Sequence, residues 1–575
     1  MNASILLFIG LLIFFIGAKY YSKFLANKVF RLDPNYKTPA HQYQDGVDFV
    51  PTNKHVLFGH HFTSVAGLAP ILGPAIAVSW GWLPAFIWVI FGTVLIGAVH
   101  DFGTLWISNR HQGNSIGTLS EKIVSSRARI LFLLIIFFLV VMVNAVFALS
   151  IAKLFISNPK TVLPVIVSIP LAIVIGFLVY RKKVGILIPS IVALIVLYLS
   201  IWLAQFIPSE FFTLPGDISN PKVIINHRII WIIILLAYTY LASTLPVWVL
   251  LQPRDYINSH QLLVGLVILF VGVIILNPDI TAPMYVAEAP IKKGGSLSHW
   301  FPLLFITIAC GAISGFHGLV SSGTSSKQLN KETDSRYIGY GGMLGEGSLA
   351  LISILACITL FSDLKDIVPS TTDVWKSYYS SGIDFSDALN AFVTGASNFA
   401  SQWGISKEVS KIFVAVIIIG FATTSLDTSV RILKYVITEI GAEYKIKFFK
   451  NGWIAALVGI ILSAILAFHD GKGEGGTIIW QLFGTTNQLI AGLSLLIVTL
   501  YLKLKKRPNI YFLIPMIFLL SMTSIAMVIN LSDYFSKGKI LLFIIGSIIF
   551  ILELWLILEA ILAIKNIKNK ANANT

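Results

Sequence analysis

The stretch FGHHFTSVAGLAPILGP, residues 58–74, is apolar enough to cross a bilayer, yet it carries adjacent histidines, Gly67 and Gly73, and prolines at Pro70 and Pro74. Broken backbone and ionisable groups are tolerated at membrane depth only where protein or a water-filled cavity satisfies them. What the stretch means depends on the chain around it.

Of 575 residues, 56% are hydrophobic and 12% charged, about half the charge of an ordinary soluble domain. Apolar runs of bilayer-spanning length recur throughout, which marks an all-α polytopic membrane protein. About fifteen spans are predicted, near 3–21, 57–79, 83–106, 130–152, 162–179, 185–207, 229–251, 261–276, 300–320, 343–361, 410–430, 452–469, 477–502, 510–531 and 540–564. The first lacks a basic leader and a small-residue cleavage site, so it reads as a retained span. Residues 385–402 read as a re-entrant or interfacial helix, and 362–409 as a solvated connection. Cys310 and Cys357 fit no metal or redox spacing and read as buried packing.

The net charge of +15 follows from orientation. With residues 22–56 cytoplasmic, alternate loops place 29 of the 42 Lys and Arg on the cytoplasmic side, as the positive-inside rule requires. This sets the N-terminus outside and the C-terminus inside, and leaves nucleic-acid binding unneeded as a partner class. The implied partners are the bilayer and a small-molecule or peptide substrate.

A Gly/Pro-interrupted span points to a transporter binding site. The second span is interrupted at Gly67–Pro74. The seventh, 229–251, holds Ser243, Thr244 and Pro246 near its middle. The two run in opposite directions and each begins five spans, which predicts a 5+5 inverted repeat with discontinuous helices. The division is then 1–56 (first span and cytoplasmic loop), 57–207 (first repeat), 208–430 (second repeat) and 431–575 (additional spans and a short tail). Ser314 and its neighbours on the ninth span offer hydroxyls to a polar path or a cation.

Ionisable residues inside a membrane are costly and mark function by default. His60, His61, His100, Asp101, His317, Glu346 and Asp427 fall at similar predicted depth on five spans. Such a set can hold or pass a proton. Alternatively His60, His61 and His100 are candidate Zn²⁺ ligands, although neighbouring helical histidines diverge by about 100°. A third reading is interfacial solvation, with Asp427 paired to Arg431 one turn later. No nucleophile elbow, Walker loop or HExxH helix occurs, so neither catalysis nor ATP drive has a motif.

Several segments together resemble the carbon starvation protein A family of bacterial inner-membrane transporters: VLFGHHFTSVAGLAPILGPAIA (56–77), GAVHDFG (97–103), PVWVLLQPRDYIN (246–258), ITIACGAISGFHGLVSSGTSSKQ (306–328), YGGMLGEG (340–347), TTSLDTSVRILKYVITE (423–439) and WQLFGTTNQLIAGLSLLIVTLYL (480–502). The stretch around Asp427 departs from the family's usual form but keeps the carboxylate and Arg431. The resemblance implies a secondary transporter with a LeuT-like core of the amino acid–polyamine–organocation superfamily. Peptide import during carbon starvation is the implied activity, with pyruvate/proton symport as the alternative. A membrane-embedded metalloenzyme built on the histidines is the alternative of another class. On the transporter reading, backbone at Gly67, Ala69, Pro70 and Gly73, with Ser243, Thr244 and Pro246, cradles a substrate carboxylate. The coupling ion or proton falls to His60, His61, His100, Asp101, Ser314, His317, Glu346 and Asp427. No cofactor is expected beyond a candidate bound cation (H⁺, Na⁺ or Zn²⁺).

Overall fold

The computed structural model describes residues 2–216, 226–290, 297–364, 367, 369–380 and 382–573. Among these, twelve helices are long and apolar enough to cross a membrane, and thirteen if a bent pair counts as one span. Of the two remaining predicted spans, 452–469 is the shorter apolar helix Gly452–Phe468. The other, 300–320, is two short helices separated by irregular backbone.

In chain order, α1 (Ala3–Phe30) precedes the bent pair α2 (Lys54–Val65) and α3 (Ala69–Trp80). Next come α4 (Trp82–Arg110), the short α5 (Ile116–Ile123) and the long α6 (Ser126–Ser157). Four spans follow: α7 (Pro159–Arg181), α8 (Leu187–Ala204), α9 (His227–Thr244) and α10 (Leu251–Leu276). An antiparallel ribbon pairs β1 (Glu288–Pro290) with β2 (Leu297–His299). Then come the split α11 (Trp300–Thr307) and α12 (Gly315–Gly323), and α13 (Glu332–Leu364). After α14 (Thr371–Ser380) and α15 (Phe385–Ala400) the chain enters α16 (Lys407–Glu443). It ends with α17 (Gly452–Phe468), α18 (Gly475–Leu504), α19 (Ile510–Ser536) and α20 (Ile540–Ala563).

Burial sorts these helices into an inner and an outer set. The most apolar windows of α6, α13, α16 and α18 are 78–83% buried, those of α7 and α20 only 28%. The outer helices turn Ile173, Phe177, Leu558 and Ile561 outward, as a lipid-facing surface does. Lys- and Arg-bearing loops gather at one end, where Arg110 pairs with Glu332, Arg431 with Asp48, and Arg507 donates to the carbonyl of Phe30. This is the basic end.

Two expectations are corrected. Residues 245–250 are not an interruption within a span. α9 and α10 are each long enough to cross, and this segment joins them at the basic end. Leu245 is extended, as the residue before a proline tends to be. The carbonyls freed there accept from side chains of α16: Arg431 reaches Ala242 and Leu245, and Lys434 reaches Ser243 at 3.1 Å. Nor is 362–409 a solvated connection. α14 and α15 pack on the bundle, with Trp375 and Tyr379 almost fully buried. Trp375 donates to the carbonyl of Cys357 at 3.1 Å, and Tyr379 to that of Ala75 at 3.4 Å. An Asp384 capping box starts α15, which explains why a polar stretch folds into a packed helix.

Candidate functional site

The two broken helices meet. α2 ends where Ala66 leaves helical geometry, and α3 starts with Pro70 in its first turn, bent by 45° from α2. Opposite, the chain between α11 and α12 runs irregularly from Ile308 to Ser314. The approach is backbone on backbone. A Cβ at Gly73 would stand 2.4 Å from the carbonyl oxygen of Thr307, and one at Gly311 would stand 3.4 Å from Cα of Pro70. Gly311 also has φ +94°, a conformation side chains resist. These glycines let the two breaks touch. Beside them lies a small cavity, lined by Ala69, Thr307, Cys310 and Gln481 among others.

Asn487, on α18, organises the second break. Its Oδ1 accepts from the amide of Phe316 at 2.8 Å and from Ser314 Oγ at 3.2 Å, and its Nδ2 lies 3.0 Å from Ser314 Oγ. Asn487 thus serves the orphan amides of the α12 N-terminus. Sequence reasoning passed over it, although a buried amide within an apolar span is the available signal.

Against the same break lies a chain of ionisable side chains, all fully buried. His100 Nδ1 donates to Asp101 at 2.7 Å. The other oxygen of Asp101 accepts from His317 Nδ1 at 2.8 Å. His317 Nε2 stands 3.1 Å from Glu346 Oε2. Glu346 Oε1 accepts from the backbone amide of Gly311 at 3.2 Å. α4 supplies His100 and Asp101, α12 supplies His317, and α13 supplies Glu346. Both nitrogens of His317 therefore face carboxylates. A neutral imidazole has one N–H, so one contact sets lone pair against lone pair unless the ring or a carboxyl gains a proton. The arrangement can take up one proton among Asp101, His317 and Glu346.

The predicted seven-member set is divided by the fold. His61 sits apart from the chain's hydrogen bonds, with Nδ1 2.8 Å from Ser325 Oγ. His60 and Asp427 belong to a second network: His60 Nδ1 donates to Asp255 at 2.6 Å, and Arg254 reaches Asp427 at 2.6 Å and Asp255 at 3.6 Å. Tyr238 donates to Asp427 at 3.3 Å and accepts from Arg254. The expected Asp427–Arg431 pair does not form, because Arg431 turns to Asp48 at 3.3 Å. Arg254 and Asp255 were missed because QPRDYINSH reads as a loop, whereas it is the buried first part of α10; Tyr238, within the apolar α9, was missed as well.

The substrate residues also divide. Gly67, Ala69, Pro70 and Gly73 lie at or beside the first break, and Ser314 ends the second with its hydroxyl turned to Asn487 and Cys310. Ser243, Thr244 and Pro246 lie at the α9–α10 connection. His60, His61 and His100 each turn Nδ1 to a different partner. Among the described residues, no three His, Cys, Asp or Glu side chains group as a metal site.

Residues 2–526 match the family described as carbon starvation protein CstA. The peptide transporter CstA of Campylobacter jejuni is 31% identical, over 94% of this chain and 82% of that one. That of Bacillus subtilis is 31% identical, over 90% and 89%. The pyruvate/proton symporter BtsT of Escherichia coli is 30% identical, over 90% and 80%. Among solved structures, a mutant of the Eremococcus coleocola manganese transporter aligns with TM-score 0.45 and 13% identity over 91% of this chain and 99% of that one. MhsT in complex with L-phenylalanine aligns at 0.45 and 13% over 89% and 99%, likenesses too distant to carry weight.

Proposed function

The chain belongs to the carbon starvation protein CstA family, and from that premise we propose that it is a secondary active transporter importing peptides across the bacterial inner membrane by proton-coupled alternating access. The observation that carries the reading is the hydrogen bond from the Gly311 amide to Glu346. It ties a broken-helix backbone to a buried chain of proton-holding groups.

The steps follow from the residues. The N-termini of α3 and α12 are the positive ends of helix dipoles and so suit a substrate carboxylate, although the amides of Ile71 and Leu72 turn to the Leu68 carbonyl and that of Phe316 to Asn487. While Glu346 is ionised, it holds Gly311 and thereby the break. A proton delivered through His100, Asp101 and His317 neutralises Glu346 and weakens that hold. Binding and protonation then act on the same backbone, which is what coupling requires.

Element order supports inverted repeats. A broken pair, a long helix, a short helical segment and a second long helix occur as α2–α6 and again as α11–α16. The second unit thus begins at α11, not at the 229–251 span. The basic end is read as cytoplasmic, with the N-terminus outside. The similarity to a pyruvate/proton symporter favours pyruvate as the second substrate reading.

Uptake of labelled dialanine and of pyruvate into proteoliposomes, under an imposed pH gradient, a sodium gradient or none, tests the proposal. Dialanine accumulation under the pH gradient is the expected result. Accumulation of pyruvate alone replaces the substrate, and a sodium requirement replaces the coupling ion. If neither moves under any gradient, the transporter reading falls, and zinc-dependent turnover becomes the next assay.

A further inference from the structure

A second cavity, of about 170 Å³, lies at the basic end between α12, α16 and the turn after α4. Phe49, Ser115, Ser322, Lys327, Tyr435 and Glu439 contribute to its wall.

Its charges are set out unusually. The Lys327 ammonium stands 4.4 Å from the ring centre of Tyr435 and 5.5 Å from that of Phe49. Among the described residues it forms no ion pair. The nearby Asp48 turns instead to Arg431 at 3.3 Å and Tyr435 at 2.6 Å. Glu439 accepts from Thr118 at 3.0 Å and Ser115 at 3.4 Å, hydroxyls only. Asp48 is shared between Arg431, which it touches, and Lys327, whose charge also acts on it. What is left for a ligand is one cation and one carboxylate on a single cavity wall.

A lone anion placed here gains Lys327 but also faces Glu439. A zwitterion satisfies both with charge-assisted hydrogen bonds. We propose that this cavity binds a short zwitterionic peptide, its C-terminal carboxylate on Lys327 and its N-terminal ammonium on Glu439. This rests on the transporter reading and gives the chain a second recognition site, apart from the helix breaks. The aromatic rings of Phe49 and Tyr435 flank the carboxylate end. The cavity is also joined to the proton chain: Leu319 and Ser322, on its wall, follow His317 on the same helix α12.

The test uses the purified full chain and three probes: dialanine, N-acetyl-dialanine, which lacks the ammonium, and dialanine amide, which lacks the carboxylate. Wild-type protein is expected to bind each capped probe about tenfold more weakly or worse than dialanine, the loss from removing one charged hydrogen-bond partner. Glu439→Gln should erase the penalty for the N-acetyl cap while keeping that for the amide, and Lys327→Gln should do the reverse. Equal affinity of wild type for all three probes, or cap penalties that the variants leave unchanged, overturns the site. So does failure of wild type to bind dialanine at all. Because the wild-type arm needs no variant, misfolding of either substitution does not spare the proposal. Pyruvate uptake under a pH gradient, measured alongside, separates the two ideas: if it persists while the cap tests fail, only this site is lost, and if no substrate moves, the transporter reading is lost as well.

Discussion

Two buried charge networks lie on either side of α2, and only one of them contains an arginine. The chain His100–Asp101–His317–Glu346 sets two carboxylates against histidines alone. The network His60–Asp255–Arg254–Asp427 includes a guanidinium. Arginine stays charged under all physiological conditions, so the second network always sets one fixed cation against its two carboxylates. The first is balanced only by a mobile proton. Equal burial therefore does not imply equal function: on the proposed reading the first network handles the proton and the second holds helices in register.

The largest effect should come from breaking the first network. Glu346→Gln keeps shape and loses the titrating oxygen. It should cut uphill, gradient-driven uptake by about a hundredfold, the lower range for removing a positioned proton donor, while substrate exchange across the membrane without a gradient survives. His317→Ala should do the same. Loss of exchange as well as accumulation in Glu346→Gln would show that the chain serves structure and would remove the contrast.

The second network should fail differently. Arg254→Met leaves Asp427 and Asp255 buried without their cation, which typically destabilises by about 3–5 kcal/mol. Low yield and a lowered melting temperature in detergent are the expected readouts, with partial recovery in the double variant Arg254→Met with Asp427→Asn. A stable Arg254→Met protein that no longer couples to the pH gradient would reverse the roles assigned to the two networks.

A third variant separates backbone approach from charge. Gly67→Leu adds a side chain where even a Cβ would stand 2.9 Å from the Phe147 ring and 3.1 Å from Ser425 Oγ. It should abolish uptake while membrane insertion remains. Gly73→Ala should also reduce uptake, because its methyl would stand 2.4 Å from the backbone carbonyl of Thr307 and must push the second break away. Unimpaired uptake in Gly67→Leu removes the cradle.

How much of this was legible in the sequence follows from which signals are local. The spans, the break at Gly67–Pro74 and the proton-holding residues His100, Asp101, His317 and Glu346 are all readable as types along the chain. Their partition into two networks is not, because it depends on which faces of α2, α4, α10, α12 and α16 meet. The second break illustrates the limit. The stretch ACGAISGFHG, 309–318, contains no proline, so Pro246 drew the eye although it only ends a helix at the basic end. Polar content misled in the same way at 251–260 and 362–409, where buried partners turn apparent loops into packed helices.

The smallest effect should come from Asp48, which lies outside both networks, in the loop before α2. Burial raises its pKa, but Lys327, Arg431 and a hydrogen bond from Tyr435 together outweigh burial and hold the carboxyl below its ordinary value. A depressed carboxylate adds stability that is present above the unfolded-state pKa and lost as pH falls through the folded one. Wild type should therefore melt slightly higher than Asp48→Asn near neutral pH. The difference should shrink on acidification below the ordinary carboxylate range, about pH 3.9, and vanish once Asp48 is protonated in both states. Glu346→Gln should leave this profile untouched, since its charge sits in another network. A melting difference that grows with acid would mean that Asp48 is held neutral in the folded chain, and the basic end would then need a different account of how Arg431 is balanced.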